Sequence, residues 1–364
     1  MNITFRAILA ERMRLQRLTE PLTAPEEYVK LFRLLQPVST VHNACPGDPP
    51  SLRPRTHFDD AQEANRLRAQ HAIVKGRFLG GRIGYVLADD LWIYANAFQR
   101  PLNRLNEIQR TVFRTLQSTG PLAPRQIKEE TGLLNKQIMP ALHRLQKAFL
   151  VYEDQVDSDW ERGWYSFTSE WPEIELSEKG FKVAARQVLC RFLEGHVFAT
   201  YEQLKDWSQL PGRSLTTLLQ EMEDAGIIAP RAIGELGEGW MLCRSGLSTK
   251  HDVGPSVFML HKADYLVRSH ASELKRRFRQ EEVLQYLLID GKFHGAVLGH
   301  WRIGPHDVSD IAVHLPAPQR TIRRKEILAV VGRRYGPPHS RILRYAGRTL
   351  AKIDMPPTPP KDAK

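Results

Sequence analysis

One predicted helix carries polar side chains with the chemistry needed to contact a nucleic acid. They lie outside its apolar stripe: Lys136, Gln137, Arg144 and Lys147. The Gln137 amide can form paired hydrogen bonds with adenine, and the cations can bind phosphate oxygens or guanine. A second predicted helix with the same apolar pattern offers Arg213, followed by three acids: Glu221, Glu223 and Asp224. We therefore expect the first of the two helices to be the better reader of DNA.

Residue patterns typical of metal centres and disulfide frameworks are absent from the sequence. The cysteines are Cys45, Cys190 and Cys243, and they form no CxxC pair. The 13 histidines form neither HExxH nor another ligand spacing. We predict no metal, no cofactor and no disulfide.

The charge balance makes nucleic acid the first partner to test. The chain has 52 Lys and Arg against 41 Asp and Glu, a net charge of +11 that attracts polyanions. Several cations cluster near the C-terminal end and are candidate phosphate contacts: Arg276, Arg277, Arg320, Arg323 and Arg324. Many soluble proteins are basic without binding DNA, so charge alone does not decide the function.

The two helices belong to an internal repeat with a shift of 77 residues. LAPRQIK (122–128) aligns with ATYEQLK (199–205), and the same shift aligns Ile138 with Leu215. Each copy reads as a long amphipathic helix, a short helix, a turn, a third helix and two short strands. This order predicts a winged helix-turn-helix in each copy.

Local signals predict where the repeat helices begin and end. Thr200 and Gln203 have the spacing of a capping box. Gly226 stands where a left-handed residue would end the third helix of the second copy. In the first copy that helix is expected to begin at Asn135, with Pro140 either in its first turn or at a kink.

The first hundred residues predict a third, more divergent winged helix. Its wing is expected over 72–88, with Gly80 and Gly81 forming a two-residue hairpin turn. Its helices are expected at about 3–18, 24–35 and 59–71. Three cations would decorate the wing and enter a DNA groove, or else be merely solvated: Lys75, Arg77 and Arg82.

The 364 residues, 42% of them hydrophobic and 26% charged, are enough for several folded domains. The predicted fold class is mainly α with small β-hairpins (α+β), as tandem winged helix-turn-helix domains plus a C-terminal α+β domain. No run of eighteen apolar residues or signal peptide is present. We expect a cytoplasmic, nucleoid-associated monomer that contacts no membrane. The expected segments are 1–100, 103–172, 177–246, 255–350 and a disordered tail over 351–364.

The order of several strings resembles a known family. The strings are FRAILAERMRLQRL (5–18), PEEYVKLFRLLQPVST (25–40), GGRIGYVLADDL (80–91), YLVRSHASELKRRF (265–278) and VLQYLLIDGKFHGAVLGHWR (283–302). Together they resemble the winged-helix DNA glycosylases of the AlkZ/YcaQ type, which unhook interstrand crosslinks. The resemblance covers most of the chain. It implies a monofunctional N-glycosylase that acts on N7-alkylated purines and crosslinks in duplex DNA.

The resemblance also implies where the catalytic motif should lie. The family's Gln-x-Gln or Gln-x-Asp corresponds to Gln36-Pro37-Val38, so the second polar residue is replaced by valine. An isopropyl group can neither orient nor polarise water. The family's wing usually carries Arg-Gly-Thr and a following histidine, and here the corresponding residues are Gly80, Gly81, Arg82 and Gly84. His42 is the candidate substitute for positioning water, although it also fits a plain loop residue.

Two hypotheses about function follow, and both include binding of duplex DNA. In the first, the protein is a repair enzyme whose altered site, built on Gln36 and His42, excises alkylated or crosslinked purines. In the second, it is a non-catalytic regulator or damage-binding protein on a glycosylase-like scaffold. A third interpretation, winged helices used only for protein contacts, is disfavoured by the basic C-terminal segment.

Overall fold

The computed structural model describes residues 3–40, 47–154, 162–243, 253–279, 282–300, 307–336 and 340–350. The chain divides into two compact units. The larger unit spans 15–246, and the smaller unit combines 1–14 with 247–364. The finer division into five segments stays a prediction.

The first hundred residues contain the helices and the hairpin that the sequence predicts. The wing turn differs, because Phe78 pairs with Arg82 and leaves Leu79, Gly80 and Gly81 as a three-residue turn. All three turn residues have positive φ, which glycine adopts at little cost. The elements in order are α1 (Phe5–Leu15), α2 (Tyr28–Leu35), α3 (Asp60–Ala69), β1 (Ile73–Phe78), β2 (Arg82–Leu87) and α4 (Leu91–Phe98).

The two repeat copies have the same order of elements, three helices and an antiparallel hairpin. Copy one contains α5 (Glu107–Thr119), α6 (Pro124–Thr131), α7 (Asn135–Lys147), β3 (Val151–Asp154), β4 (Gly163–Ser166) and the short α8 (Phe167–Glu170). Copy two contains α9 (Glu178–His196), α10 (Tyr201–Ser208), α11 (Gly212–Asp224), β5 (Ile228–Ile233) and β6 (Gly237–Leu242).

The repeat is held together by the apolar stripes that the sequence predicts. In α7 the stripe packs against α5, α6 and Trp164, forming one core cluster. The aligned positions of α11 are buried in the same way. The stripe residues are Ile138, Leu142 and Leu145 in copy one and Leu215, Leu219 and Met222 in copy two.

The predicted helix ends are confirmed, with one difference. The Thr200 hydroxyl accepts from the backbone N–H of Gln203, and the side-chain oxygen of Gln203 accepts from the backbone N–H of Thr200, as a capping box requires. Gly226 follows α11 with a φ of 64°. The difference concerns Pro140, for which one of the two expected places was the first turn of α7. Pro140 lies in the second turn, inside an uninterrupted helix.

The smaller unit is built around a six-stranded sheet in the order β12-β11-β10-β9-β8-β7. Helix α14 packs on one face of this sheet and shares its core. A two-residue turn joins β8 to β9, where Asp290 and Gly291 both have positive φ. The elements are β7 (Val257–His261), α12 (Tyr265–Ser269), α13 (Ala271–Arg277), β8 (Val283–Ile289), β9 (Lys292–Gly299), β10 (Val308–Val313), α14 (Ala317–Tyr335), β11 (Arg344–Tyr345) and β12 (Arg348–Thr349).

The longest helices, α9 and α14, each have 19 residues. Neither they nor any other helix in the described ranges has the length and apolar character needed to cross a membrane.

Candidate nucleic-acid interface

Gln36, the first residue of the motif, lies directly after α2. Helix α2 ends at Leu35 because Pro37 disfavours helical backbone at the residue before it. The Gln36 side chain is buried, its residue only 1% exposed. Its amide nitrogen donates to Asp90 Oδ2 at 2.7 Å, and its carbonyl oxygen accepts from the Leu87 N–H at 2.8 Å. Both ends of the amide are therefore engaged within the protein.

Asp90 is an ionic centre that holds Gln36 in place. Arg33 Nε lies 3.2 Å from Asp90 Oδ2, and Arg191 Nη2 lies 2.8 Å from Oδ1. Burial opposes the charge of Asp90, but the hydrogen bonds from Arg191 and Gln36 outweigh it and lower the pKa of the carboxyl. Asp90 is thus a carboxylate at neutral pH.

Val38, the second residue of the motif, is part of the core. Its N–H donates to the Tyr85 carbonyl at 2.9 Å, and the Tyr85 N–H donates back at 2.8 Å, so the segment adds to the edge of β2. Val38 is 4% exposed. A Cβ at Gly84 would lie 3.0 Å from Pro37 Cβ, which explains why a glycine fits beside the motif. His42, the candidate substitute, lies outside the described residues.

Lys75 differs from the expectation that it decorates the surface of the wing. It is 9% exposed, and its Nζ lies 2.8 Å from Glu153 Oε1 on β3. Arg162 Nη1 lies 2.8 Å from the other oxygen of the same carboxylate. Because a buried ammonium needs a paired anion, Lys75 fastens the wing to copy one and is not available to DNA in this arrangement.

A small cavity lies on this side of the wing. It is lined by both members of the Lys75–Glu153 pair and by Tyr85, Tyr152 and Trp171 among others. Its volume of about 20 Å³ is room for one water molecule. A nucleobase would need the walls to move apart.

The wing tip is packed between the two repeat copies. A Cβ at Gly81 would lie 3.0 Å from Lys147 Cε, and a Cβ at Gly80 would lie 3.1 Å from Gln209 Cβ. Arg77 is half-buried, with its Nε donating to Gln146 Oε1 at 2.7 Å. The expectation that this tip inserts into a DNA groove therefore does not fit the structure. Arg82 alone of the three predicted wing cations is exposed.

The packing gathers four cations around the tip, which we call the wing-tip cluster: Arg77, Arg100, Arg144 and Lys147. Burial, followed by the charges of Arg77, Arg100 and Arg144, lowers the pKa of Lys147. The Arg100 N–H donates to the Lys147 carbonyl at 2.8 Å, which brings the loop after α4 to the end of α7. Sequence analysis missed Arg100, because it lies in a connecting segment without periodicity. The predicted residues Arg77, Arg144 and Lys147 are brought together.

The predicted contacts at the start of the third helices are more scattered. Lys136 is exposed in the first turn of α7, and Arg213 is exposed in the first turn of α11. The side-chain oxygen of Gln137, Oε1, accepts from the Leu134 N–H at 3.0 Å and so completes the helix start. An amide engaged in this way cannot offer both of its ends to adenine.

The C-terminal cations are partly neutralised by nearby acids. Arg323 Nη1 lies 2.7 Å from Asp290 Oδ2, and its Nε lies 2.8 Å from Glu326 Oε2, so its charge is compensated, contrary to its expected role as a phosphate contact. Arg277 is paired with Glu273 at 2.7 Å. The Arg324 guanidinium lies 5.9 Å from the centre of the Tyr345 ring. Arg276 is exposed and Arg320 is half-buried.

Comparisons with known proteins agree with the fold. A family model described as DNA glycosylase AlkZ-like matches residues 30–307. The solved structure of Streptomyces sahachiroi DNA glycosylase AlkZ superposes with a TM-score of 0.68 at 14% sequence identity, covering 94% of this chain and 99% of that chain. No curated protein sequence matches.

Proposed function

The chain belongs to the AlkZ-like DNA glycosylase family, and on that premise we propose that it binds duplex DNA through the phosphate backbone, with the wing-tip cluster as the main contact. The observation that carries the proposal is the convergence of four cations from three separate elements at the packed wing tip. Their mutual repulsion is relieved when phosphates lie between them.

The available donors favour contacts to the backbone over readout of base sequence. Gln137, whose amide would read adenine, completes the start of α7. Arginine and lysine side chains remain, and these position a protein on DNA by neutralising phosphates. We expect binding with little sequence preference.

The motif residues support binding without efficient base excision. An N7-alkylated guanine is already a good leaving group, so the enzyme must mainly place a water against the sugar carbon and stabilise the positive charge that develops there. The apolar Val38 side chain can do neither, and the Gln36 amide is hydrogen-bonded within the protein at both its nitrogen and its oxygen. The proposed function is that of a DNA-binding protein on a glycosylase scaffold.

Base excision is the second candidate, and one observation favours it. The Asp90 carboxylate lies 2.7 Å from the Gln36 amide, so the two residue types of a Gln-x-Asp motif lie next to each other. This pair would act only after Gln36 is released from the Leu87 N–H.

Two measurements test the proposal. In the first, the affinity for a 20-base-pair duplex is measured at increasing salt concentration. The logarithm of the association constant should fall against the logarithm of the salt concentration with a slope of about −0.9 for each phosphate contacted. An affinity that does not change with salt would overturn the binding proposal. Release of free base from duplexes that carry N7-methylguanine or a nitrogen-mustard crosslink separates the two candidates. Binding without release supports the first candidate, and release supports the second.

The Val38→Gln variant, alone and with Pro37→Ile, sharpens this test. If the lesion still reaches the motif, a positioned polar group should raise base release by about 10²-fold. We expect no gain, because position 38 is buried and paired to β2. The Val38→Ala variant controls for loss of packing, and a large gain with Val38→Gln would show that the lesion pocket is intact.

A further inference from the structure

A row of aromatic rings lies beside one face of the sheet in the smaller unit. His314 lies just after β10, and its backbone N–H donates to the backbone carbonyl of His294 on β9. The two histidines are therefore cross-strand neighbours. The His314 ring stacks on Phe278 with centroids 4.9 Å apart and planes 18° from parallel. Phe278 in turn contacts Tyr286, with centroids 5.9 Å apart. Three rings from three different elements thus follow one another.

The strands beneath these rings carry small side chains. Tyr286 pairs with Ala296, and Ala296 pairs with Ala312, so alanines occupy the middle of this row across the sheet. Residues directly opposite each other on neighbouring strands share a face. The rings of Tyr286 and His314 therefore stand on the same face of the sheet, with Phe278 in contact with both. His314 is exposed, and Tyr286 and Ala312 are half-buried.

Cations outnumber acids on α13 and at the residues just after it. Lys275, at the end of α13, and Arg279, just after it, are exposed, and Arg277 between them is paired with Glu273. Burial and the charge of Arg277 lower the pKa of His314, so its imidazole is neutral at neutral pH and stacks as an uncharged ring. A flat, uncharged, exposed ring beside cations suits a partner that has both bases and phosphates.

We propose that this surface binds an unpaired stretch of DNA strand, with a base stacked on the exposed face of His314 and the phosphates near the cations of α13. Proteins that bind single strands without sequence preference combine aromatic rings with a positively charged surface, because every base has a face that can stack on a ring. The assignment goes beyond duplex binding and does not depend on the wing-tip cluster, which belongs to the larger unit.

The test uses the full chain and three fluorescent ligands of equal length: a 20-nucleotide dT strand, an abasic strand with the same phosphates, and a 20-base-pair duplex. His314→Ala should weaken binding of the dT strand by at least about fivefold, since stacking of one base is worth about 1 kcal/mol or more. Affinity for the abasic strand and the duplex should change less than about twofold. His314→Phe should bind the dT strand as the unaltered chain does, and His300→Ala, which removes another exposed histidine of the same unit, is the matched control.

The pattern of losses decides the outcome. Equal losses on the dT and abasic strands, or no loss with His314→Ala, would overturn the proposal. A second measurement needs no variant: a strand with 2-aminopurine in place of one base should lose fluorescence on binding, and unchanged fluorescence in the bound complex would also overturn it. Loss of duplex affinity in wing-tip variants leaves this result unaffected, so the two proposals fail separately.

Discussion

The two repeat copies have the same fold and opposite charge at the end of the third helix. The shift of 77 residues places Glu221 at the position of Arg144, and Asp224 at the position of Lys147. In copy one these side chains join the wing-tip cluster. In copy two Glu221 lies 3.3 Å from Lys182 of the same copy, while Glu223 accepts a hydrogen bond from the Trp240 indole.

The difference separates the residues that specify the fold from those that select a partner. The inward stripe is apolar in both copies because each helix must bury one face to be stable. The outward positions carry no such constraint, so their charge can reverse without changing the backbone. One copy thus gathers cations, and the other uses its acids in local pairs.

The largest expected effect comes from the buried carboxylate of Glu153 in copy one, which is paired with a buried lysine. Glu153 aligns with the exposed Pro230 of copy two. Glu153→Ala leaves Lys75 buried without its anion and should lower the free energy of unfolding by about 3 to 5 kcal/mol, measured by urea denaturation. Pro230→Ala should change it by less than about 1 kcal/mol. Similar losses in the two variants would remove this distinction between the copies.

The Glu153 carboxylate also makes the stability of the fold depend on pH. Burial opposes its charge, but Lys75 and Arg162 outweigh it and lower the pKa of Glu153 below its ordinary 4.5. Its contribution to stability is therefore present above that ordinary value and is lost as the pH falls through the lower folded value. The stability difference between the unaltered chain and Glu153→Gln should shrink in acid, and a difference that grows in acid would contradict this.

Exchanging the charges of copy one for those of copy two should have the next largest effect. Arg144→Glu combined with Lys147→Asp should weaken duplex binding about a hundredfold, because two charge-assisted contacts are lost. Fluorescence anisotropy at fixed salt measures this. Asp224→Lys in copy two adds a cation away from the cluster and should change affinity less than about threefold. If Asp224→Lys raised the affinity for duplex DNA by as much as the copy-one exchange lowers it, both copies would contact DNA.

The smallest effect concerns the start of the second helix in each copy. Gln126 accepts from the Ala123 N–H at 2.8 Å, as Gln203 does from Thr200, but Ala123 has no hydroxyl to complete the capping box. Thr200→Ala should cost about 1 kcal/mol of unfolding free energy, and Ala123→Thr should add about 0.5 to 1 kcal/mol. Thermal unfolding of both variants checks this, and a destabilising Ala123→Thr would show that the copies differ in backbone at this point.

Much of the fold could be predicted from local sequence, whereas much of the candidate site could not. The stripe through Ile138 and the capping box at Thr200 depend on neighbours within a few residues, which the sequence displays directly. The burial of Lys75 depends on Glu153, which lies far along the chain, and a lysine on a hairpin gives no sign of it. Arg100 joins the wing-tip cluster through a backbone hydrogen bond from a connecting loop, and a loop has no hydrophobic periodicity from which its position could be predicted. The assignment of the glutamine motif to Gln36 stays a prediction, and the hydrogen bond from Gln36 to Asp90 is a tertiary contact that the local sequence does not display.

The packed wing tip also has a practical consequence for protein engineering. Hairpin tips are usually good places to insert a tag or a fluorescent label, because nothing lies beyond them. Here the two tip glycines approach Lys147 and Gln209 so closely that even a methyl group would touch them. A short insertion at Gly80 would act as a wedge between the copies. The turn between β8 and β9 is no better, because a Cβ at Gly291 would lie 3.1 Å from Met13 Sδ. A label is better placed at the exposed turn around Gly347, where a Cβ would meet nothing within 4 Å.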